Sequence, residues 1–212
     1  MRPSTLSKEA GAGAEQVWAA TPGERRYSAG VFMVIALALI VTGTLVGYFG
    51  NLNFPLQFGV NFFWPGIIVQ QVGSIWFGAW GVIAGTIFPF FSNALADTPF
   101  LMSAYYIPAN LLQSFLPAWA FRHFKADPRL RSGRDYLILF GSMILSSAFG
   151  ALWSPLVVLR SFGLLDTEAL PLYIWGWFGG NVVAGLVFNF ILMQAFSALV
   201  IRSRLLVKRW WR

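Results

Sequence analysis

The chain has 212 residues, of which 57% are hydrophobic and only 11% are charged, and its mean hydropathy is +0.64. A soluble domain carries about 25% charged residues, so this composition excludes a water-soluble globular protein and indicates an integral membrane protein. Cysteine is absent, which excludes disulfides, zinc–thiolate clusters and thiol catalysis. The net charge of +7 arises from basic residues that flank apolar segments, which favours membrane topology over nucleic-acid binding.

The N-terminal segment, residues 1–28, is polar and lacks the apolar core of a signal peptide. It predicts a flexible cytoplasmic tail. Beyond it, the sequence contains six mainly apolar segments, and a membrane-spanning helix needs about 20 such residues. They predict six transmembrane helices at 29–49, 60–77, 79–94, 100–121, 136–159 and 172–201.

The distribution of charge supports six spans. The 95 residues between Arg26 and Arg122 contain one charged residue, Asp97. Basic loops stay in the cytoplasm, so an even number of spans lies between these arginines, and the length fits four. Two further spans return the chain to a basic tail at 205–212. The expected fold class is all-α: a polytopic membrane protein with a six-transmembrane-helix bundle at 29–204 and both termini cytoplasmic.

Amide and aromatic side chains inside the predicted spans are the candidates for function. Polar groups in a membrane bond to one another across helices or line a cavity, and both interpretations stay open here. Asn110 and Gln113 share a helix face, and Asn181 follows Trp177 by one turn. Gln70 and its neighbour Gln71 point about 100° apart, so one is expected to face a cavity and the other an adjacent helix. The candidate ligand-binding residues are Asn61, Trp64, Gln70, Tyr105, Asn110, Gln113, Trp177 and Asn181.

Other motifs point to packing or partners rather than to catalysis. Gly43 and Gly47 form a GxxxG pair that allows close helix approach, either inside the bundle or to a second membrane subunit. His123 is the only histidine, no predicted span holds a carboxylate, and no phosphate-binding GxxxxGK[ST] loop is present. We therefore expect no enzyme activity, no cofactor and no metal site. The expected partners are a small solute and the lipid bilayer.

Two stretches resemble the substrate-binding S components of energy-coupling factor transporters. They are WPGIIVQQVGSIWFGAWGVIAGTIFPFFSNAL, like the second and third helices of that family, and YIPANLLQSFLPAWAFRHF, like its fourth helix and basic loop. The resemblance implies uptake of a vitamin-like nutrient with a transmembrane coupling subunit and two ATPases. The family commonly carries an Ala-x-x-x-Ala contact on the first helix, whereas this chain has Gly43 and Gly47.

The motifs WPGI, 110–122 and WGWFGGNVVAGLVFNFIL also resemble bacterial membrane-associated sensor domains. That resemblance implies signalling through a separate partner, and a structural subunit of a larger membrane complex is a third alternative. The transport subunit is the favoured hypothesis. Because Arg160 is the only cation near the outer half of the spans, a strongly anionic solute would lack a counter-charge. We expect a small, neutral, aromatic or heterocyclic solute captured from outside.

Overall fold

A computed structural model describes residues 16–19, 27–53, 55–57 and 60–211. Most of the predicted flexible tail, residues 1–28, lies outside these ranges. The regular secondary structure of these residues is helical except for one short antiparallel pair of strands. Its elements are α1 Ala29–Asn53, β1 Pro55–Gln57, β2 Val60–Asn61, α2 Gly66–Phe77, α3 Ala79–Leu95, α4 Phe100–Tyr105, α5 Ile107–His123, α6 Gly133–Trp153, a π-helical segment Ser154–Leu159, α7 Leu170–Ala184, a π-helical segment Gly185–Asn189 and α8 Phe190–Arg202.

Three helical stretches are long and apolar enough to cross a membrane: Ala29–Asn51, Gly133–Leu159 and Leu170–Arg202. The outer face of α1 is apolar, and Val34, Leu37 and Val41 are each at least 60% exposed. A row of exposed aliphatic side chains on a long helix is the pattern expected where lipid covers the surface. These features indicate a helical membrane protein, as predicted.

The second predicted span begins later than expected. Residues 60–61 pair as strand β2 with β1, and α2 starts only at Gly66, after Pro65 at its N-cap. Proline has no amide hydrogen to donate and favours the start of a helix over its interior. The 12 residues of α2 rise about 18 Å, less than the roughly 30 Å of a hydrocarbon core. The prediction of a helix over 60–77 is therefore corrected to 66–77.

Helix α2 lies at the centre of the bundle. Ten of its 12 residues are buried, and it packs against α1, α3 and α5. Its first turn lies beside Trp64 and Asn61, and its last turn lies beside Arg122. Helix α2 therefore connects the region around Trp64 with the region around Arg122.

The Gly43–Gly47 face of α1 packs inside the bundle. A Cβ on Gly43 would lie 2.6 Å from the Phe88 ring, and a Cβ on Gly47 would lie 3.2 Å from Ser92 of α3 and 3.3 Å from the Trp64 indole nitrogen. The small residues let α1 approach α3 closely. The predicted docking of a second subunit on Gly43 and Gly47 is corrected to internal packing, because this face is already occupied.

The Arg122 side chain lies at the end of the bundle that carries most of the basic residues, which we call the basic end. Its guanidinium group has five N–H donors, and five backbone carbonyls accept from it: those of Ser74, Ile75, Ala118, Val207 and Arg209. Two of these carbonyls, those of Ser74 and Ile75, belong to the last turn of α2, where the helix dipole is negative. Burial of this cation is thus balanced without a carboxylate.

Residues 205–211, the C-terminal strap, cross the basic end and complete it. The Val207 amide donates to the Trp76 carbonyl at 2.8 Å, and the Ala79 amide donates to the Trp210 carbonyl at 2.7 Å. These bonds satisfy groups at the end of α2 and the start of α3 that have no partner within their own helices. At Gly78, between the two helices, φ is +59°, and a Cβ would lie 2.6 Å from the Trp210 carbonyl oxygen. The predicted basic tail is packed onto the bundle.

The N-terminal segment also reaches this end. Trp18 is buried, and its indole N–H donates to the Ala126 carbonyl at 2.7 Å. The Trp18 and Trp210 ring centroids lie 5.2 and 5.4 Å from the Arg122 guanidinium carbon, within the range of cation–π attraction. The described part of the predicted tail therefore packs against the bundle at residues 17–18.

The acidic side chains of the loop between α5 and α6 bond to groups within the loop and at the start of α6. Asp127 pairs with Arg129 at 2.7 Å, and this hydrogen-bonded carboxylate raises the pKa of Arg129 above its usual value. Asp135 forms a capping box with Ser132 at the start of α6. Lys125 and Arg131 remain exposed, so this surface is positive.

Candidate functional site

A cavity lies at the end of the bundle opposite the basic end. The chain directions show this, because α2 and α5 both start beside the cavity and end at Arg122. The lining combines amide and aromatic side chains with one proline: Asn61, Trp64, Pro89, Asn93, Tyr106, Asn110, Trp177 and Asn181. They come from β2, the turn before α2, helix α3, the junction between α4 and α5, helix α5 and helix α7.

Interruptions in the helices place several of these residues. Tyr106 lies at the break between α4 and α5, where Pro108 starts the new helix. Trp64 precedes Pro65 at the start of α2. Pro89 lies inside α3 one turn before Asn93, so both face the same side. Breaks of this kind in apolar helices often accompany binding sites, because irregular backbone is tolerated where it lines a cavity.

Aromatic rings form two walls of the cavity. The Trp177 and Tyr106 rings stack with centroids 5.9 Å apart and an interplanar angle of 11°. The Trp64 ring stacks on Phe88 with centroids 5.7 Å apart. Indole and phenol faces of this kind are suited to a flat, weakly polar ring.

Several buried polar atoms beside the cavity have no hydrogen-bond partner within the described ranges. They are the indole N–H of Trp177, the amide nitrogen of Asn181, and both the oxygen and the nitrogen of Gln113. Leaving such a group unsatisfied costs about 1–3 kcal/mol, and native proteins satisfy most of them with protein, water or ligand. This cluster of unsatisfied donors and acceptors is the main chemical feature of the site.

Gly150 on α6 lets two of these donors pack closely against the helix backbone. A Cβ at this position would lie 2.8 Å from the Gln113 amide nitrogen and 3.0 Å from the Trp177 indole nitrogen. The two nitrogens are therefore close neighbours.

The cavity is small in this conformation. It admits the centre of a water molecule over about 20 Å³, which is room for about one water. A solute larger than water would fit only if side chains of the lining moved apart.

Five of the eight predicted ligand-binding residues line this cavity: Asn61, Trp64, Asn110, Trp177 and Asn181. Gln70 lies just behind the lining, where its amide nitrogen donates to the Gly85 carbonyl at 2.9 Å and lies 3.4 Å from the Asn110 side-chain oxygen. Gln71 points elsewhere and bonds to Asn189 and Ser146. The two glutamines have different neighbours, as expected from their angular separation.

Tyr105 lies outside the cavity. Its side chain is 40% exposed and packs edge-on against Phe162, while its carbonyl accepts from the Trp153 indole. The next residue, Tyr106, is buried and lines the cavity instead. The lining also contains Tyr106, Pro89 and Asn93, which are not among the eight candidate ligand-binding residues; the four-residue spacing of Pro89 and Asn93 is a signal that identifies this pair.

The lining is uncharged, and tyrosine is its only titratable side chain. Within residues 16–19, 27–53, 55–57 and 60–211, no group of three or more His, Asp or Glu side chains is placed to hold a metal ion. The arrangement suits reversible binding by hydrogen bonds and ring stacking. No family model, no curated protein and no solved structure matches the chain.

Proposed function

We propose that this chain is a multi-pass membrane protein that captures a small uncharged solute in the cavity between α2, α3, α5 and α7. The observation that carries the proposal is the set of unpartnered polar atoms on Gln113, Trp177 and Asn181, two of which belong to residues that line the cavity. A purely structural core would leave these groups bonded to one another or replaced by apolar side chains. A bound solute would satisfy them.

The orientation follows from charge. The basic end carries exposed Lys125, Arg131, Arg134, Arg202 and Arg204, and the positive-inside rule assigns such a surface to the cytoplasm. We propose six spans with both termini inside, in the plasma or inner membrane, and in that arrangement the cavity would lie on the outer side. The solute would be captured from outside.

The favoured role is the solute-binding subunit of an uptake transporter, in line with the resemblance to S components. The chain carries no nucleotide-binding GxxxxGK[ST] loop, so energy for uptake would come from a coupling subunit and two ATPases. Such a partner would dock on a surface other than Gly43 and Gly47. The stacked Trp177 and Tyr106 rings and the neutral amides favour a heterocyclic, vitamin-like solute over an ion or an acid.

The test begins with the purified full-length protein and mass spectrometry of the small molecules that co-purify with it. We expect a neutral heterocycle in near-stoichiometric amount. The Gly150→Ala variant adds a methyl group between the Gln113 and Trp177 nitrogens and should reduce the retained solute about tenfold, the effect of about 1.4 kcal/mol.

Gly141→Ala provides the matched control on α6, because a Cβ there meets nothing within 4 Å. This variant should retain the solute as the parent does. If the parent protein carries only lipid or detergent, or if both variants retain the solute equally, solute capture in this cavity is wrong.

A further inference from the structure

An exposed, mainly apolar stripe runs along α5 toward the basic end. Its residues, Leu111, Phe115, Trp119 and His123, are four apart and share one side of the helix. Leu111 is 45% exposed, Phe115 and Trp119 are each 37% exposed, and His123 is also exposed. The stripe rises about 18 Å along the helix axis. Exposed apolar side chains in this pattern on a membrane helix are suited to contact with acyl chains.

Three rings meet where this stripe ends, and we call them the ring cluster: Trp119, His123 and Phe124. The Trp119 and His123 rings stack with centroids 4.8 Å apart and an interplanar angle of 12°. The Phe124 ring packs edge-on against both, at 5.9 and 4.8 Å. Tryptophan favours the interface between hydrocarbon and water. The ring cluster therefore indicates that α5 ends at the level of the lipid headgroups.

Two exposed cations lie directly beside the ring cluster. Lys125 follows Phe124 in the chain, and its side chain is exposed. The Arg134 guanidinium donates to the Phe124 carbonyl and is also exposed, so it lies next to Lys125. This bond uses one of the five N–H donors of the guanidinium. The pair thus presents two positive charges and further hydrogen-bond donors at headgroup level.

The acidic side chains of the same loop do not neutralise these cations. Asp127 and Asp135 are each only 2% exposed. Asp127 pairs with Arg129, and Asp135 caps the start of α6. Among the residues that the structure describes, neither Lys125 nor Arg134 forms an ion pair. Their charge is therefore available to an anion outside the protein.

The backbone at Lys125 is in a conformation that favours glycine. Its φ is +53°, it follows the C-cap residue Phe124, and the Ala126 amide donates to the Phe121 carbonyl at 3.0 Å. This is the pattern of a helix end at which glycine is the usual residue. Lysine bears the steric cost of the left-handed region, which glycine avoids. The chain thus keeps a cation here at the expense of stability.

We propose that the end of α5 binds an anionic phospholipid, with its phosphate between Lys125 and Arg134 and an acyl chain along the stripe. Lysine and arginine form charge-assisted hydrogen bonds with phosphate oxygens. The adjoining apolar stripe matches a ligand that has both a phosphate and a hydrocarbon chain. A soluble acidic protein or free phosphate would leave the stripe uncovered. This inference is independent of solute capture in the cavity.

Thermal unfolding of the purified full-length protein in neutral detergent, followed by tryptophan fluorescence, tests the site. Phosphatidylglycerol at about ten times its dissociation constant should raise the unfolding temperature by about 3–6 °C. Phosphatidylcholine and inorganic phosphate should leave it unchanged. An equal shift with phosphatidylcholine overturns recognition of the negative charge, and an equal shift with inorganic phosphate overturns a lipid as the ligand.

Lys125→Gly separates binding from folding, because it removes the cation and relieves the backbone. In detergent alone this variant should unfold at or above the temperature of the parent. A cation at the membrane surface contributes about fivefold in affinity for anionic lipid, so the shift with phosphatidylglycerol should fall to about half. Native mass spectrometry of the same samples should show about fivefold less retained phosphatidylglycerol than on the parent.

Arg204→Gly is the matched control. Arg204 is an exposed cation that follows the C-cap residue of a different helix, α8, and its φ is +60°. The substitution removes the same charge and gives the same backbone relief, and it should keep the full shift with phosphatidylglycerol. An undiminished shift in Lys125→Gly, or an equal loss in both variants, overturns a site at the end of α5.

Discussion

Replacement of Arg122 by lysine measures how strongly the basic end is held together. Arginine meets five carbonyls here, whereas a lysine ammonium has three donors. At least two carbonyls then lose their donor, and a hydrogen bond to a charged group is worth about 1.5–3 kcal/mol. We expect Arg122→Lys to lower the free energy of unfolding by about 3 kcal/mol, or roughly 6–12 °C in unfolding temperature for a chain of this length.

The assay is thermal unfolding in detergent, followed by intrinsic tryptophan fluorescence, because Trp18 and Trp210 flank the guanidinium. Arg131→Lys is the matched control, since Arg131 is exposed, and surface substitutions change stability by about 0.5 kcal/mol or less. An Arg122→Lys protein that unfolds within about 2 °C of the parent would refute the reasoning, because lysine would then replace a planar five-donor group without loss.

Two glycine substitutions test the packing of the bundle by the same thermal assay. Gly78→Ala should lower the free energy of unfolding by about 3 kcal/mol, because the residue has a positive φ and its new Cβ would collide with the Trp210 carbonyl oxygen. Gly163→Ala has φ +67° and no atom within 4 Å of the new Cβ, so it should lower the free energy of unfolding only by the backbone cost of about 1–2 kcal/mol. Equal losses at both positions would mean that the strap does not occupy this place. Gly43→Ala drives a methyl group into the Phe88 ring and should cost about 1–3 kcal/mol, while Gly30→Ala on the same helix, with only Ser28 nearby at 3.6 Å, should cost little. If Gly43→Ala is as stable as the parent, Gly43 does not pack against Phe88, and this face would be free to bind an external partner.

Hydropathy predicted the three long helical stretches because contact with lipid selects apolar side chains along most of their length. The same signal placed the start of α2 too early. Residues 60–64 are as apolar as a helix, but they enter a strand pair and a turn before Pro65. Apolar composition reports burial and does not distinguish a helix from other buried backbone.

The sequence predicted which residue types line the candidate site better than it predicted which individual side chains face the cavity. Amides and tryptophans in apolar segments indicated a polar cavity, and five of the candidates do line one. The choice between Tyr105 and Tyr106 depended on a rotation of about 100° at a helix break, which only tertiary packing determines. Arg122 was assigned to a basic flank because its partners are backbone carbonyls, and these leave no mark in the sequence.

The C-terminal strap has a consequence for the order in which the protein is made. Trp80 and the Trp211 carbonyl that accepts its indole N–H are 131 residues apart, and the α2–α3 turn depends on the same distant segment. During synthesis, the ribosome therefore releases this turn and the Arg122 cation long before the carbonyls of residues 207–210 become available. Until then, water, lipid headgroups or an insertion factor must occupy those positions, so maturation of the earliest helices awaits translation of the strap.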